Sequence, residues 1–189
     1  MDVYFVTDNQ GKVKEAKAIL GKWGIGVKQL SLEKLEIQDD DVSAIVLYSI
    51  KDLMKRHEGP LMVEDAGLHV QVLSGFPGPY SSYVYRTIGI EGILKLLEGV
   101  IDRRAYFRSA IAYYDNDVGI QIFTGQVHGT ISEKPRGDKG FGFDPIFIPS
   151  GRKKTFAEME LDEKSRISHR GKALRRLAHW LRHRVQKGK

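Results

Sequence analysis

The sequence has no cysteine, which excludes disulfides, thiolate metal sites and a thiol nucleophile. It has no apolar run approaching the ~20 residues of a membrane-spanning helix. Nor does it open on a basic stretch followed by a long apolar one: from Asp2 onward it reads as a short strand. There is no internal repeat, low-complexity tract or obvious linker. Acid is missing from one place only. Between Lys164 and Lys189 there are ten Lys or Arg and no Asp or Glu, and taking that +10 from the net charge of +6 leaves residues 1–163 at −4. The basic character therefore belongs to a terminal segment and not to the body, which argues against a general nucleic-acid footprint. The expectation is one cytoplasmic domain over residues 1–189, with no membrane and no nucleic-acid partner. A chain of this length can bury about 70% of its unfolded surface without staples.

The organising stretch is Leu61 to Leu68. Leu61, Met62 and Val63 predict a buried strand that ends on two carboxylates, Glu64 and Asp65, followed by the small Ala66 and Gly67. Two readings compete for the acids, metal chemistry and a solvated turn. Side chains alternate along a strand, so only one of the two can look easily into a given cleft.

Upstream, Val3 to Val6 predicts a short strand, Thr7-Asp8-Asn9-Gln10-Gly11-Lys12 a polar turn, and Val13, Ala16, Leu20 and Trp23 one face of a helix. A strand, a polar loop and a helix N-terminus make an anion site, to which Lys12 adds a positive charge. An ordinary cap by Asp8 or Asn9 explains the same residues. A strand is predicted over Val27 to Leu32. It is followed by an acidic stretch with Glu36, Asp39, Asp40 and Asp41, and then by a helix from Val42 to about Arg56.

Downstream, Val70 and Val72 alternate with His69 and Gln71 as a half-buried strand, with His69 on the surface. Gly75 to Ser82 reads as a rigid loop, Gly92 to Leu97 as helix. Ala105 to Tyr114 and Gly119 to Ile131 read as antiparallel strands joined at Asp115-Asn116-Asp117. In Gly140-Phe141-Gly142-Phe143-Asp144-Pro145 the glycines permit close backbone approach and the aromatics offer faces on which a base can stack. Asp144, ahead of Pro145, is expected to be extended. The last helix is predicted to begin within Glu163 to Arg170, with Leu174, Leu177, Leu181 and Val185 as its apolar stripe and Arg175, Arg176 and Arg182 facing outward.

Taken in order, Thr7-x-Asn9-x-x-Lys12, Glu64-Asp65-Ala66-Gly67-Leu68, Phe76-Pro77-Gly78-x-Tyr80-Ser81, Gly140 to Pro145, Thr155-Phe156-Ala157-Glu158-Met159 and Lys164-x-x-x-Ser168-His169-Arg170 resemble the inosine triphosphate pyrophosphatase family. The resemblance runs from Thr7 to Ala173. It implies an α/β fold with a long central mixed sheet flanked by helices, two lobes around a substrate cleft, and a homodimer. It also implies magnesium-dependent conversion of inosine, deoxyinosine or xanthosine triphosphate to the monophosphate and pyrophosphate.

Carried over by position, the resemblance implies that Thr7, Asp8, Asn9, Gln10, Gly11 and Lys12 hold the triphosphate. Glu36 and Asp65 bind Mg2+, with Asp65 also the catalytic proton acceptor, and Ala66 touches substrate through its backbone. Phe141, Gly142, Phe143, Asp144, Lys164, His169 and Arg170 enclose the base and ribose. Arg170 carries only donors, which suit a 6-oxo purine and oppose the 6-amino group of adenine. One departure stands out: Tyr48 falls near the position of a lysine common in the family, with Lys51 the nearest substitute.

Overall fold

The computed structural model describes residues 1–187, with side chains to Arg184. Strand β1 (Asp2–Val6) leads through the polar turn to helix α1 (Gln10–Leu20), and β2 (Gly26–Leu30) returns beside it. Helix α2 (Val42–Leu53) precedes β3 (Leu61–Val70), the two-residue β4 (Pro77–Gly78), and the short helices α3 (Ser81–Thr87) and α4 (Gly89–Leu96). Then come β5 (Arg104–Asp115), β6 (Gly119–Ile131), β7 (Phe147–Pro149), α5 (Leu161–Ile167) and α6 (His169–Lys187). The sheet is mixed, as expected: its order is β2-β1-β3-β5-β6-β7, with β1 parallel to both β2 and β3 and the other pairs antiparallel.

One detail of pairing shapes the molecule. Strand β5 pairs with β3 along its whole length, from Leu61 to Val70. On the other edge β1 reaches only Leu61 and Met62, and β4 takes only Leu68 and His69. Residues 63–67 are therefore paired on one side and face a gap between β1 and β4 on the other.

Alternation along β1 and β3 sends side chains to two cores. Phe5, Met62, Ile111 and Tyr113 pack with Val13, Leu20, Leu174 and Leu177 under α1 and α6. Val6, Leu61, Val63 and Ala112 pack with Val46, Ile50 and Leu53 of α2 on the opposite face. A third cluster, including Leu68, Val84, Ile93, Phe107, Phe147 and Phe156, fills the far half of the sheet. Each fully buried large apolar side chain contributes about 1.5–3 kcal/mol, so the three clusters fix the sheet and the helices on both its faces.

Several local expectations change. The strand through Leu61 does not stop at the two acids, because β5 supplies partners for Glu64 and Asp65 and for every residue up to Val70. Residues Gln71–Leu73 form a 3-10 turn, not a strand. His69 is half-buried rather than on the surface. Its ring stacks on Tyr106 at 4.6 Å, and its buried Nε2 has no hydrogen-bond partner among the described residues. Asp144 is not extended but opens a 3-10 turn, Asp144–Ile146, closed by the Phe147 N–H on the Asp144 carbonyl, while its Oδ2 accepts the Phe141 N–H at 2.8 Å.

The terminal helix is two helices. Ser168 is extended between them (φ −66°, ψ 158°), and its Oγ accepts the Gly171 N–H at 3.0 Å, so it caps α6. Leu174, Leu177 and Leu181 are buried as expected, whereas the Val185 side chain lies outside the described residues. Arg175 does not simply face solvent: it donates to the Ser165 and Arg166 carbonyls at the end of α5. Among the described residues no helix is long and apolar enough to cross a membrane.

Candidate active site

A cavity of about 830 Å³ opens along the gap in β3. The turn after β1 forms one end of it: Thr7, Asp8, Asn9 and Lys12 line the wall, while Gln10 and Gly11 do not. The turn is built by its own side chains. Thr7 Oγ1 accepts the Asn9 N–H at 3.2 Å, and Asn9 Oδ1 accepts the Lys12 N–H at 3.1 Å as the N-cap of α1. Gln10 points away and bonds Gln29.

Asp65 and Ala66 form the floor, and the acidic loop supplies Lys34, Glu36, Ile37, Gln38 and Asp39. Burial pushes the Asp65 carboxyl up, against the pull of Lys12 and with a further push from the adjacent Glu64. Glu36 is 57% exposed and pairs with Lys34 at 2.5 Å. Among the described residues no group of three or more His, Asp or Glu could hold a metal unaided. Neither Tyr48 nor Lys51 lines the cavity, and both are exposed; the cation on this side is Lys34.

The other end contains Gly140, Phe141, Gly142, Phe143, Asp144, His169 and Arg170, with Tyr80, Tyr85 and Phe107 beside them. Gly140 has φ +76°, and a Cβ there would lie 2.2 Å from Asp144 Oδ2, so this bend and the carboxylate it wraps require glycine. The two aromatics differ. Phe143 is buried in the core with its ring edge-on to Tyr85 at 5.5 Å, whereas Phe141 is half-buried, with Arg170 5.1 Å and Lys164 4.9 Å from its ring. His169 stacks on Phe107 at 4.6 Å. Burial and the neighbouring Arg170 hold its pKa well below the ordinary range.

Behind this wall runs a chain of alternating charge. Lys164 Nζ donates to Asp144 Oδ2 and Glu15 Oε1, both at 2.6 Å, and Arg170 Nη1 donates to Glu15 Oε2 at 2.8 Å. Arg170 Nε lies 3.1 Å from Glu64 Oε1, and Lys12 Nζ lies 3.0 Å from Glu64 Oε2. Lys164 is therefore a buried support and not part of the wall. Burial would push the Glu64 carboxyl up, yet Arg170, Lys12 and the Ser109 hydroxyl hold it well below the usual range. Glu15 is likewise lowered, burial being outweighed by Arg170 and Lys164, whereas burial wins at Asp144 and raises it.

Glu15 was invisible to periodicity, which sends a helix charge to solvent. Its one signal is its place three residues after Lys12, on the side of α1 that follows the turn.

Fold and cavity together define an α/β protein with a nucleotide-sized site, in which a phosphate-type turn and an aromatic, arginine-bearing wall flank a carboxylate. More particularly, residues 3–180 match the Ham1 family, and the chain belongs to it. It is similar to the dITP/XTP pyrophosphatase of Hyperthermus butylicus, 52% identical over 180 residues that cover 95% of this chain and 94% of that one. It is also similar to the dITP/XTP pyrophosphatase of Thermococcus kodakarensis, 53% identical over 182 residues, 96% and 98% of the two chains. The solved Ham1 protein of Staphylococcus aureus superposes with a TM-score of 0.83 at 28% identity, covering 97% of this chain and 100% of that one.

Proposed function

We propose that this protein hydrolyses non-standard purine nucleoside triphosphates, dITP, ITP and XTP, to the nucleoside monophosphate and pyrophosphate. One observation carries the reading: a single cavity joins the Thr7 to Lys12 turn to the Phe141, His169 and Arg170 wall, with Asp65 on the floor between them. The near-full-length likeness to proteins named dITP/XTP pyrophosphatase supports the same substrates.

Magnesium is part of the proposal, with Asp65 and Glu36 as its protein ligands. The fit rests on Asp65, a carboxylate that burial pushes up and that a nearby cation would relieve, and on oxygen-only donors of the kind a hard ion takes. Two carboxylates suffice, since this ion usually shares its shell with waters and substrate phosphates. When bound it would offset phosphate charge and acidify a coordinated water.

Thr7, Asn9 and Lys12 hold the phosphates. Asp65 takes the proton as water oxygen bonds to the α-phosphorus; the bond from that phosphorus to the bridging oxygen breaks, and pyrophosphate leaves with the electron pair. Phe141 presents its face to the base, and Arg170 favours the 6-oxo edge.

A second copy forms the homodimer in this proposal, covering Tyr83, Ile88 and Leu96, which are exposed on α3, at its C-cap and on α4; light scattering tests it. A cytoplasmic setting is proposed with it, and cell fractionation tests that.

The deciding experiment is turnover of dITP, XTP, dATP and dGTP with magnesium in heavy-oxygen water. Pyrophosphate and a labelled monophosphate are expected. Orthophosphate carrying the label would mean attack at the γ-phosphorus and would reverse the placement of the triphosphate.

A further inference from the structure

We infer that Glu64 is a positioning residue through which the two ends of the cavity are coupled, so that occupancy of the phosphate end sharpens discrimination at the base end. The inference rests on the nucleotide reading, which takes Lys12 as a phosphate group and Arg170 as a base group. Glu64 itself does not line the cavity.

Its carboxylate is divided between the ends. Oε1 accepts the Ser109 hydroxyl at 2.6 Å and lies 3.1 Å from Arg170 Nε. Oε2 lies 3.0 Å from Lys12 Nζ, which also donates to the Glu64 carbonyl at 3.2 Å. That carbonyl looks out of the β3 edge into the gap.

The members are not equally mobile. Arg170 is pinned by Glu15 and has a side chain 4% exposed, whereas the Lys12 side chain is 15% exposed and sits in the first turn of α1. Lys12 is thus the cation that a polyphosphate can draw across. A buried carboxylate cannot be left short of partners, and Arg170 Nε is close to Glu64 without a hydrogen bond aligned to it. As Lys12 swings to phosphate, Glu64 turns its charge on Arg170, and that contact tightens. The guanidinium that reads the base is then held more firmly when the phosphate end is filled.

The products test this without turnover. Dissociation constants of IMP and AMP are measured by calorimetry, with and without saturating pyrophosphate and with calcium in place of magnesium. In the wild type, pyrophosphate should raise the AMP-to-IMP ratio of dissociation constants about 5-fold or more, the low end of ordinary coupling between sites. In Glu64→Gln, which keeps the shape and removes the shared charge, the ratio should not respond.

Should Glu64→Gln fail to fold, Lys12→Met removes the exchanging cation from a less buried position. It should make the ratio indifferent to pyrophosphate supplied at saturation. A ratio unmoved by pyrophosphate in a wild type that hydrolyses dITP overturns the inference, as does an unchanged response in either variant. A wild type that hydrolyses neither dITP nor XTP would instead overturn the nucleotide reading beneath it.

Discussion

Glu64 and Asp65 are adjacent in sequence and lie on opposite faces of β3. Glu64 shares its side with Met62 and meets Lys12 and Arg170 beneath α1 and α6; Asp65 shares its side with Leu61 and Val63, above α2. Only Asp65 borders the cavity. A strand separates a charge that holds the walls from one that faces the cavity.

Asp65→Asn should therefore lower kcat by about 10²–10⁴-fold, the usual scale for a lost general base. Melting temperature should hold or rise, because burial already disfavours the charge on Asp65. Steady-state kinetics beside a thermal melt checks both, and a loss under tenfold would remove Asp65 from the proton-accepting role.

Gly11 tests the aromatic wall from behind. A Cβ at this position would lie 2.4 Å from Phe141 Cδ1 and 2.7 Å from Cε1, while the helical backbone of α1 accepts alanine readily. Gly11→Ala should displace the Phe141 ring and lower kcat/KM for dITP by up to about 10²-fold, the scale of a 1 Å misplacement. The double variant Gly11→Ala/Phe141→Leu should lose much less than the product of the two single losses.

The buried imidazole of His169 sets a pH dependence of stability. Its folded pKa is depressed, so below about pH 6.5 the unfolded chain takes up a proton that the native one refuses. Stability should be full above that pH and fall as pH drops below it, by up to about 1.4 kcal/mol per unit. The charges facing the ring are Arg170, Lys164 and Lys12, which disfavour its protonation, and Glu64, which favours it. His69 shifts in the same direction, so His169→Phe should remove part of the slope between pH 5 and 6.5 and not all of it. Melts across that range check this; an unchanged slope would mean that His169 takes up its proton in the folded state.

Chelation should abolish turnover, and magnesium should restore it. Glu36→Gln should raise the magnesium concentration needed for half-maximal rate while leaving the melt unchanged, since the side chain is largely exposed and, among the described residues, pairs with Lys34 alone. A magnesium curve that does not move would assign the second ligand elsewhere on the acidic loop, with Asp39 next to be tested.

Much of this was legible in the sequence because the signals are local. The strand-turn-helix at Thr7 to Lys12 and the alternation through β5 and β6 need only near neighbours to be read. What escaped depends on distant partners. Glu64 to Leu68 looks too polar and too small for a strand until β5 supplies a partner for each residue. Glu15 is inside only because Lys164 and Arg170 arrive from 149 and 155 residues away. Lys34, which lines the cavity where Tyr48 and Lys51 do not, is an ordinary surface lysine by composition, placed at the site by an irregular loop that no periodicity describes.

The gap in the edge of β3 also bears on the solubility of the molecule. An unpaired strand edge is a template on which a foreign strand can add and seed aggregation. Here the bare stretch is only residues 63–67, with β1 butted against one end and β4 against the other. No incoming strand has room to lie down between them. The arrangement leaves backbone free to meet a small ligand while closing that same backbone to another polypeptide, so an opening and a safeguard come from one register.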